Sequence, residues 1–188
     1  VLGHKRNKIA QFHSQLVLML VGYMHFFIEH NKGHHVNVAT PKDPATSRKN
    51  QTFYAFWVQT VFGSWHSAWK IEKNRLQRRG KKVWSASNAM IWYVVLPLSF
   101  FATLTAIFSW GTGTIIWAVP VFLVLQGVLA FSTLEAVNYV EHYGILRREV
   151  APGRYEKVNP LHSWNSNHRI SNFFLFQLQR HSDHHAHA

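Results

Sequence analysis

The longest apolar stretch in the chain is Ala89–Phe108, AMIWYVVLPLSFFATLTAIF, which contains no charged residue. A helix covering the roughly 30 Å hydrocarbon core of a bilayer needs about 20 such residues. A turn follows at Ser109–Thr114, SWGTGT, where the glycines interrupt helical propagation. The apolar pattern resumes over Ile115–Tyr139, with Pro120 in the first turns, where a missing N–H costs least. Segments 89–108 and 115–139 are therefore expected to form a transmembrane helical hairpin. Phe12–Ile28 is a third apolar run, but His13, Ser14, Gln15 and His25 interrupt it, so hydropathy alone does not decide whether it crosses. Between Val36 and Val83 the pattern turns polar and basic. ATPKDPATSRKN reads as an irregular loop, Phe53–Trp69 as an aromatic-rich buried or interfacial helix, and Lys70–Lys82 as a charged helix end stopped at Gly80. Arg147–Asn172 reads as a polar loop, and Phe173–Gln179 as a helix leading into the closing histidines. The expected fold class is all-α, a multi-helix integral membrane protein, and 188 residues suit one domain spanning 1–188.

Charge sharpens this picture. The net charge is +12, yet 47% of residues are hydrophobic and 15% aromatic. Lys and Arg are absent between Val83 and Leu146, where Glu135 and Glu141 are the only acidic residues. A nucleic-acid binder would spread cations over its contact surface, so no nucleic acid is expected as partner. Insertion into lipid explains the gap, since a central Lys or Arg costs roughly 2.5–3.5 kcal/mol on insertion scales. Basic residues flank the hairpin on both outer sides and none lies in its turn, which puts both ends in the cytoplasm. Trp84, Trp92, Tyr93, Trp110 and Trp117 are expected as interfacial anchors in membrane lipid.

The sequence has no cysteine, so a metal would be held by His nitrogen or carboxylate oxygen, a donor set suited to iron, zinc, copper or manganese. Fourteen histidines are present, and they cluster. EHNKGHH brings together His30, His34 and His35, which share one helical region. RHSDHHA brings together His181, His184 and His185 at i, i+3 and i+4. His142 stands where the second membrane segment ends, and His4 lies near the start. The hairpin leaves and returns, so these eight candidate ligands fall on one side of the membrane, more than one ion takes. If His4 and His30 serve one site they share a face, which favours a re-entrant helix over 12–28. Glu29, Glu141 and Asp183 each neighbour a candidate ligand and suit carboxylates that orient imidazoles. His13, His25 and His66 are expected as buried or interfacial polar residues. His162 and His168 are expected in loop or supporting roles, and His187 in a solvated tail.

EHNKGHH, NYVEHYGILR and LQRHSDHHA resemble the signature boxes of the integral-membrane non-haem di-iron alkane 1-monooxygenases, relatives of the membrane fatty-acid desaturases. GHHVNVATPKDPATSR, EKNRLQRRG and HSWNSNHRISN agree, and the resemblance spans nearly the whole chain. It implies two iron ions held by nine histidines, of which this sequence supplies His4, His30, His34, His35, His142, His181, His184 and His185. His4 and Lys5 match the end of the first box, H-E-x-x-H-K, while Val1 stands where that box has Glu. An internal fragment lacking the N-terminal helices and the first box histidine is therefore expected, and such a piece should bind iron poorly.

The resemblance further implies O2-dependent terminal hydroxylation of n-alkanes to primary alcohols. Electrons would come from rubredoxin, itself reduced by an NAD(P)H-dependent reductase, in the bacterial inner membrane with the active site on the cytoplasmic side. A small acidic carrier suits the basic face around Lys70–Lys82, although positive-inside topology explains those charges as well. The alternatives are a xylene-monooxygenase-like hydroxylase, an acyl desaturase, and a membrane metal transporter. A transporter would hold its ligands inside the bilayer, and these histidines stand at helix ends.

Overall fold

The computed structural model describes residues 7–174 and 179–182. Helix α1, Lys8–Leu20, starts at Asn7, whose side chain accepts the Ile9 N–H at 2.8 Å. It stops because Gly22 adopts a left-handed φ of 68°. After the turn, α2 runs over Phe26–Glu29. The apolar run 12–28, expected as one helix, is thus two helices with a break at 21–25. The break is held from outside: the Gln126 side-chain amide donates to the Leu20 carbonyl at 2.8 Å. A Cβ on Gly127 would stand 2.8 Å from the Val21 carbonyl oxygen, so only glycine admits so close an approach.

A single wide π-turn, His30–His34, continues from α2 into α3, His35–Asn37. An irregular segment leads to α4, Phe53–Arg78, which is capped by the Thr52 hydroxyl. The aromatic segment and the charged segment after it are one continuous helix, ending just before Gly80, whose φ is 65°. Its buried stripe recurs every fourth residue: Phe56, Thr60, Ser64, Ala68, Glu72 and Leu76. The small members of that stripe let α4 pack against α2, α5 and α6. At its far end the Glu72 carboxylate accepts from Arg75 Nε and Nη2, both at 2.6 Å, and from the Ala89 N–H at 2.8 Å. That carboxylate therefore ties α4 to the first turn of the next helix.

The expected hairpin is present as α5, Ala89–Ser109, and α6, Ala118–Glu141, the second starting later and running further than its apolar pattern indicated. Among the described residues these are the two helices long and apolar enough to cross a membrane. Their outer faces remain uncovered, with Leu98, Phe122, Leu125 and Leu129 all exposed. Pro97 lies inside α5 on its buried side. Trp84, Trp92, Trp110 and Trp117 are exposed as anchors should be, but Tyr93 is buried, and its hydroxyl donates to Gln15 Oε1 at 3.3 Å.

Beyond α6 the segment expected as a loop contains a short antiparallel ribbon, β1 Glu149–Ala151 with β2 Arg154–Tyr155. A 3-10 turn at Pro160–His162 and helix α7, Arg169–Phe174, follow. Of the helix expected over Phe173–Gln179, residues 175–178 lie outside the described residues. The other regular elements among the described residues are helices.

The Gly127 contact gives a test of the broken helix. In full-length protein carrying this segment, Gly127→Leu is expected to lower stability by roughly 1–3 kcal/mol, the usual cost of overpacking. A drop in the thermal midpoint in detergent would report it, while the exposed-face change Val128→Leu should leave the midpoint in place.

Candidate metal centre

Five histidines converge where α2, the π-turn and the end of α6 meet. Imidazole centroids lie 4.8 Å apart for His34 and His142, 5.0 Å for His142 and His181, and 6.5 Å for His34 and His181. His34, His142 and His181 are all buried, and one ligand nitrogen from each lies within 4.8 Å of the others. His30 joins the group through His34, at 5.3 Å, and through His35, at 4.7 Å. His4, Asp183, His184, His185 and His187 lie outside the described residues.

The π-turn sets the geometry of the first cluster. On an α-helix a residue at i+5 stands about 140° round from residue i. The wider turn, closed by the His35 N–H to the His30 carbonyl, brings the two rings onto one side instead. Their Nε2 atoms face each other at 3.2 Å. Helical spacing alone predicted a shared region for His30, His34 and His35 but not this direct opposition of His30 and His35.

A carboxylate fixes the His34 ring. His34 Nδ1 lies 2.8 Å from Asp43 Oδ2. Ionised carboxylate only accepts, so Nδ1 carries the proton and Nε2 presents its lone pair to the cluster. Asp43 also accepts from the Thr46 hydroxyl and from the Ala45 N–H at 3.1 Å. Burial opposes the Asp43 charge, but the His34 imidazole and the Thr46 donor hold its carboxyl below the ordinary range. Burial likewise opposes charge on His34, and the Asp43 carboxylate outweighs it, raising the imidazole. His181 Nδ1 lies 3.1 Å from Glu141 Oε2, within ion-pair distance but without the aligned hydrogen bond of the His34 pair. Glu29 is buried next to the π-turn, its carboxyl pushed up to about 8 chiefly by burial. A Cβ on Gly33 would stand 2.6 Å from Glu29 Oε1, so this glycine makes room for the carboxyl.

Asp43 was the residue that sequence reasoning missed. It lies in a stretch read as an irregular basic loop, yet Val38, Ala39, Thr40, Asp43, Ala45, Thr46 and Ser47 are buried. Arg147 holds that stretch in place. Its guanidinium donates to the carbonyls of Val36, Val38 and Glu156, and its N–H donates to the Ala39 carbonyl at 2.7 Å. Ala39 has a left-handed φ of 57°, a conformation kept by these contacts and by its N–H to Thr46 Oγ1 at 2.9 Å. The position of Arg147 inside NYVEHYGILR was the available signal, since a cation beginning a polar segment is read most simply as solvated.

The remaining histidines divide cleanly. His25 is buried against Tyr23 and Trp65, and burial pushes its imidazole down to about 4. His13 and His66 are exposed, and each ring bonds the carbonyl four residues back at 2.8 Å. His162 completes a reciprocal cap with Asn159 and approaches Glu156, a structural role. Asn165 donates to the Ser182 hydroxyl and accepts the Ser182 N–H, which anchors the neighbouring His181.

Buried imidazoles converging within 4.8 Å, with Asp43 setting the Nδ1–H tautomer of His34, fit a metal of borderline softness. His34, His142 and His181 would hold one ion, with His30 and His35 facing the same space. In the full-length protein, His142→Ala should remove most bound metal. Asp43→Asn should weaken metal affinity about 10- to 100-fold, the usual cost of losing an orienting partner. Elemental analysis of purified protein against a chelator series measures both.

The chain is 48% identical over 99% of its length to the alkane 1-monooxygenase of Ectopseudomonas oleovorans and, equally, to that of Pseudomonas putida. It covers 45% and 44% of those two proteins, so the chain spans about half the length of the curated relatives it matches. It is 30% identical over 98% of its length to the xylene/toluene monooxygenase hydroxylase component XylM of Pseudomonas putida, covering 47% of it. The family model for fatty acid desaturases matches residues 2–188, which include every histidine cluster and both apolar helices, and the chain belongs to the fatty acid desaturase family.

Proposed function

We propose that this segment is the catalytic portion of a membrane-bound, O2-dependent hydroxylase that converts n-alkanes to primary alcohols. The observation that carries the reading is the convergence of His30, His34, His35, His142 and His181 at one end of an apolar hairpin. Identity of 48% to alkane 1-monooxygenases, against 30% to the xylene/toluene enzyme, favours alkanes over aromatic side chains as substrate.

Two iron ions suit the ligand supply. The five clustered histidines, together with His4, His184 and His185, give eight nitrogens, more than a single ion accepts. When bound, iron supplies the O2-dependent oxidation that a saturated C–H bond requires and that no side chain provides. The residues of this chain do the rest. Asp43 orients His34 so that Nε2 is free to ligate, and Glu141 stands beside His181 Nδ1. Arg147 fixes the strand of chain that carries Asp43. Burial of the three central imidazoles keeps bulk water away from the reacting position.

The 188 residues act as one catalytic domain. The run 12–28 enters the bilayer and turns back without crossing, a reading supported by the break at Gly22 and by the 13-residue length of α1, against the roughly 20 residues a crossing needs. The site faces the cytoplasm of the bacterial inner membrane, as the basic segments flanking the hairpin favour. Rubredoxin, reduced by its NAD(P)H-dependent reductase, delivers electrons at the basic end of α4. Arg75 is committed to Glu72 and the Ser87 carbonyl, so the exposed Arg78, Arg79 and Lys82 would meet an acidic carrier.

Whole cells producing full-length protein with a rubredoxin system, fed octane, hexadecane, xylene or a fatty acyl substrate, test the reading. Primary alcohol from the alkanes is expected, and its absence at every chain length overturns it. Charge reversal at Arg78, Arg79 and Lys82 should slow reduction by rubredoxin, with a deficit that shrinks as salt rises, because screened charges steer less.

A further inference from the structure

A row of aromatic rings leads away from the histidine cluster into α4. His30 stacks on Phe26 with centroids 4.6 Å apart, and Phe26 stacks on Tyr23 at 5.9 Å. Tyr23 stacks on Phe131 at 4.8 Å with planes only 13° apart, and Phe131 stacks on Trp57 at 5.9 Å. The row joins α2, the helix break, α6 and α4, so no single helical period generates it. It runs from a candidate metal ligand to a half-buried indole on the outside of the bundle.

Two of its members can be oxidised, and each has a polar partner. Tyr23 is buried and donates its hydroxyl proton to Glu135 Oε1 at 2.9 Å. Glu135 also accepts from the Thr60 hydroxyl at 2.8 Å and the Asn138 amide at 3.1 Å. Three donors converging on two oxygens is the pattern a carboxylate accepts, so a base stands ready at the phenol. Trp57 donates its indole N–H to Ser132 Oγ at 2.8 Å.

We propose that Tyr23 and Trp57 form a relay that draws oxidising equivalents out of the metal site when O2 has reacted and no alkane is present to consume them. Tyr23 gives one electron through Phe26 and His30 to the oxidised metal centre, which is reduced by one electron. The O–H bond of Tyr23 breaks as its proton passes to Glu135, leaving a neutral phenoxyl radical. Trp57 then gives one electron through Phe131, Glu135 returns the proton, and Tyr23 is restored. One electron has left Trp57, whose radical cation sits where an external reductant can reach it. The relay diverts damage from the buried imidazoles to a replaceable position on the outside. It rests on the oxygen chemistry proposed above.

Full-length, iron-loaded protein carrying this segment, in native membranes, is mixed with reductant and O2 without alkane and frozen for electron paramagnetic resonance. A phenoxyl signal is expected, changed by ring-deuterated tyrosine and lost in Tyr23→Phe. Trp57→Phe should lengthen its lifetime, and peptide mass spectrometry should find oxidised Trp57 in the unaltered protein but not in Tyr23→Phe. Glu135→Gln retains the shape while removing the proton acceptor, and should diminish the signal even if Tyr23→Phe fails to fold. A signal that survives Tyr23→Phe, or no radical and no oxidised Trp57, overturns the relay. Alkane conversion in the same membranes reports separately on the hydroxylase reading. Alcohol without a radical sinks only the relay, and a radical without alcohol sinks only the hydroxylase.

Discussion

A hydrogen bond of 2.8 Å between two fully buried groups, His34 Nδ1 and Asp43 Oδ2, is the contact on which the site depends. Neither partner would be tolerated alone, because a buried unpaired charge or ring nitrogen costs several kcal/mol. Asp43 requires the loop from Val38 to Ser47 to pass through the interior, and that loop in turn needs its own backbone partners. Thr46, Ser47 and Arg147 provide them, with Ser47 donating to the Tyr139 carbonyl at 2.6 Å and accepting the Gly144 N–H at 3.0 Å. The end of α6 is thereby fastened to the same loop that orients His34. One imidazole–carboxylate pair thus couples the π-turn, an irregular segment and a membrane helix.

The lipid-facing and site-facing demands on α6 are met by separating them along its length. Its first half carries apolar residues exposed on the outside, such as Phe122, Leu125 and Leu129. Its last two turns bury Glu135, Asn138 and Glu141; Glu135 accepts from Tyr23 and Asn138, and Glu141 lies 3.1 Å from His181 Nδ1. Buried polar groups in such a helix are costly unless partnered, and they are found here at the end of α6, the helix against which α4 packs.

Much of this was legible in the residue order. The hairpin followed from two uncharged runs and a glycine turn, and the ligand candidates followed from the spacing of the histidines. Glu29 and Glu141 were nominated from adjacency alone, and both are buried beside the cluster. The failures share a cause. The break at Gly22, the interior course of the Asp43 loop and the burial of Tyr93 are decided by groups distant in sequence: Gln126 and Gly127, Arg147, and Gln15. Local pattern reports what a segment would do on average surroundings, and these segments answer to particular ones. The π-turn was hidden for a different reason, since a one-residue widening leaves no mark in composition.

The separation in sequence between His34, His142 and His181 has a consequence for how the protein is made. As the chain emerges, the first cluster and its Asp43 partner are complete long before His142 exists. Both long apolar helices precede His142 in the chain, and His181 arrives later still. A metal held by these three histidines would therefore not be captured at full strength by an incompletely folded chain, because its affinity would rest on ligands that only the finished topology gathers. Occupancy of such a site would in effect report that the two long helices had been assembled.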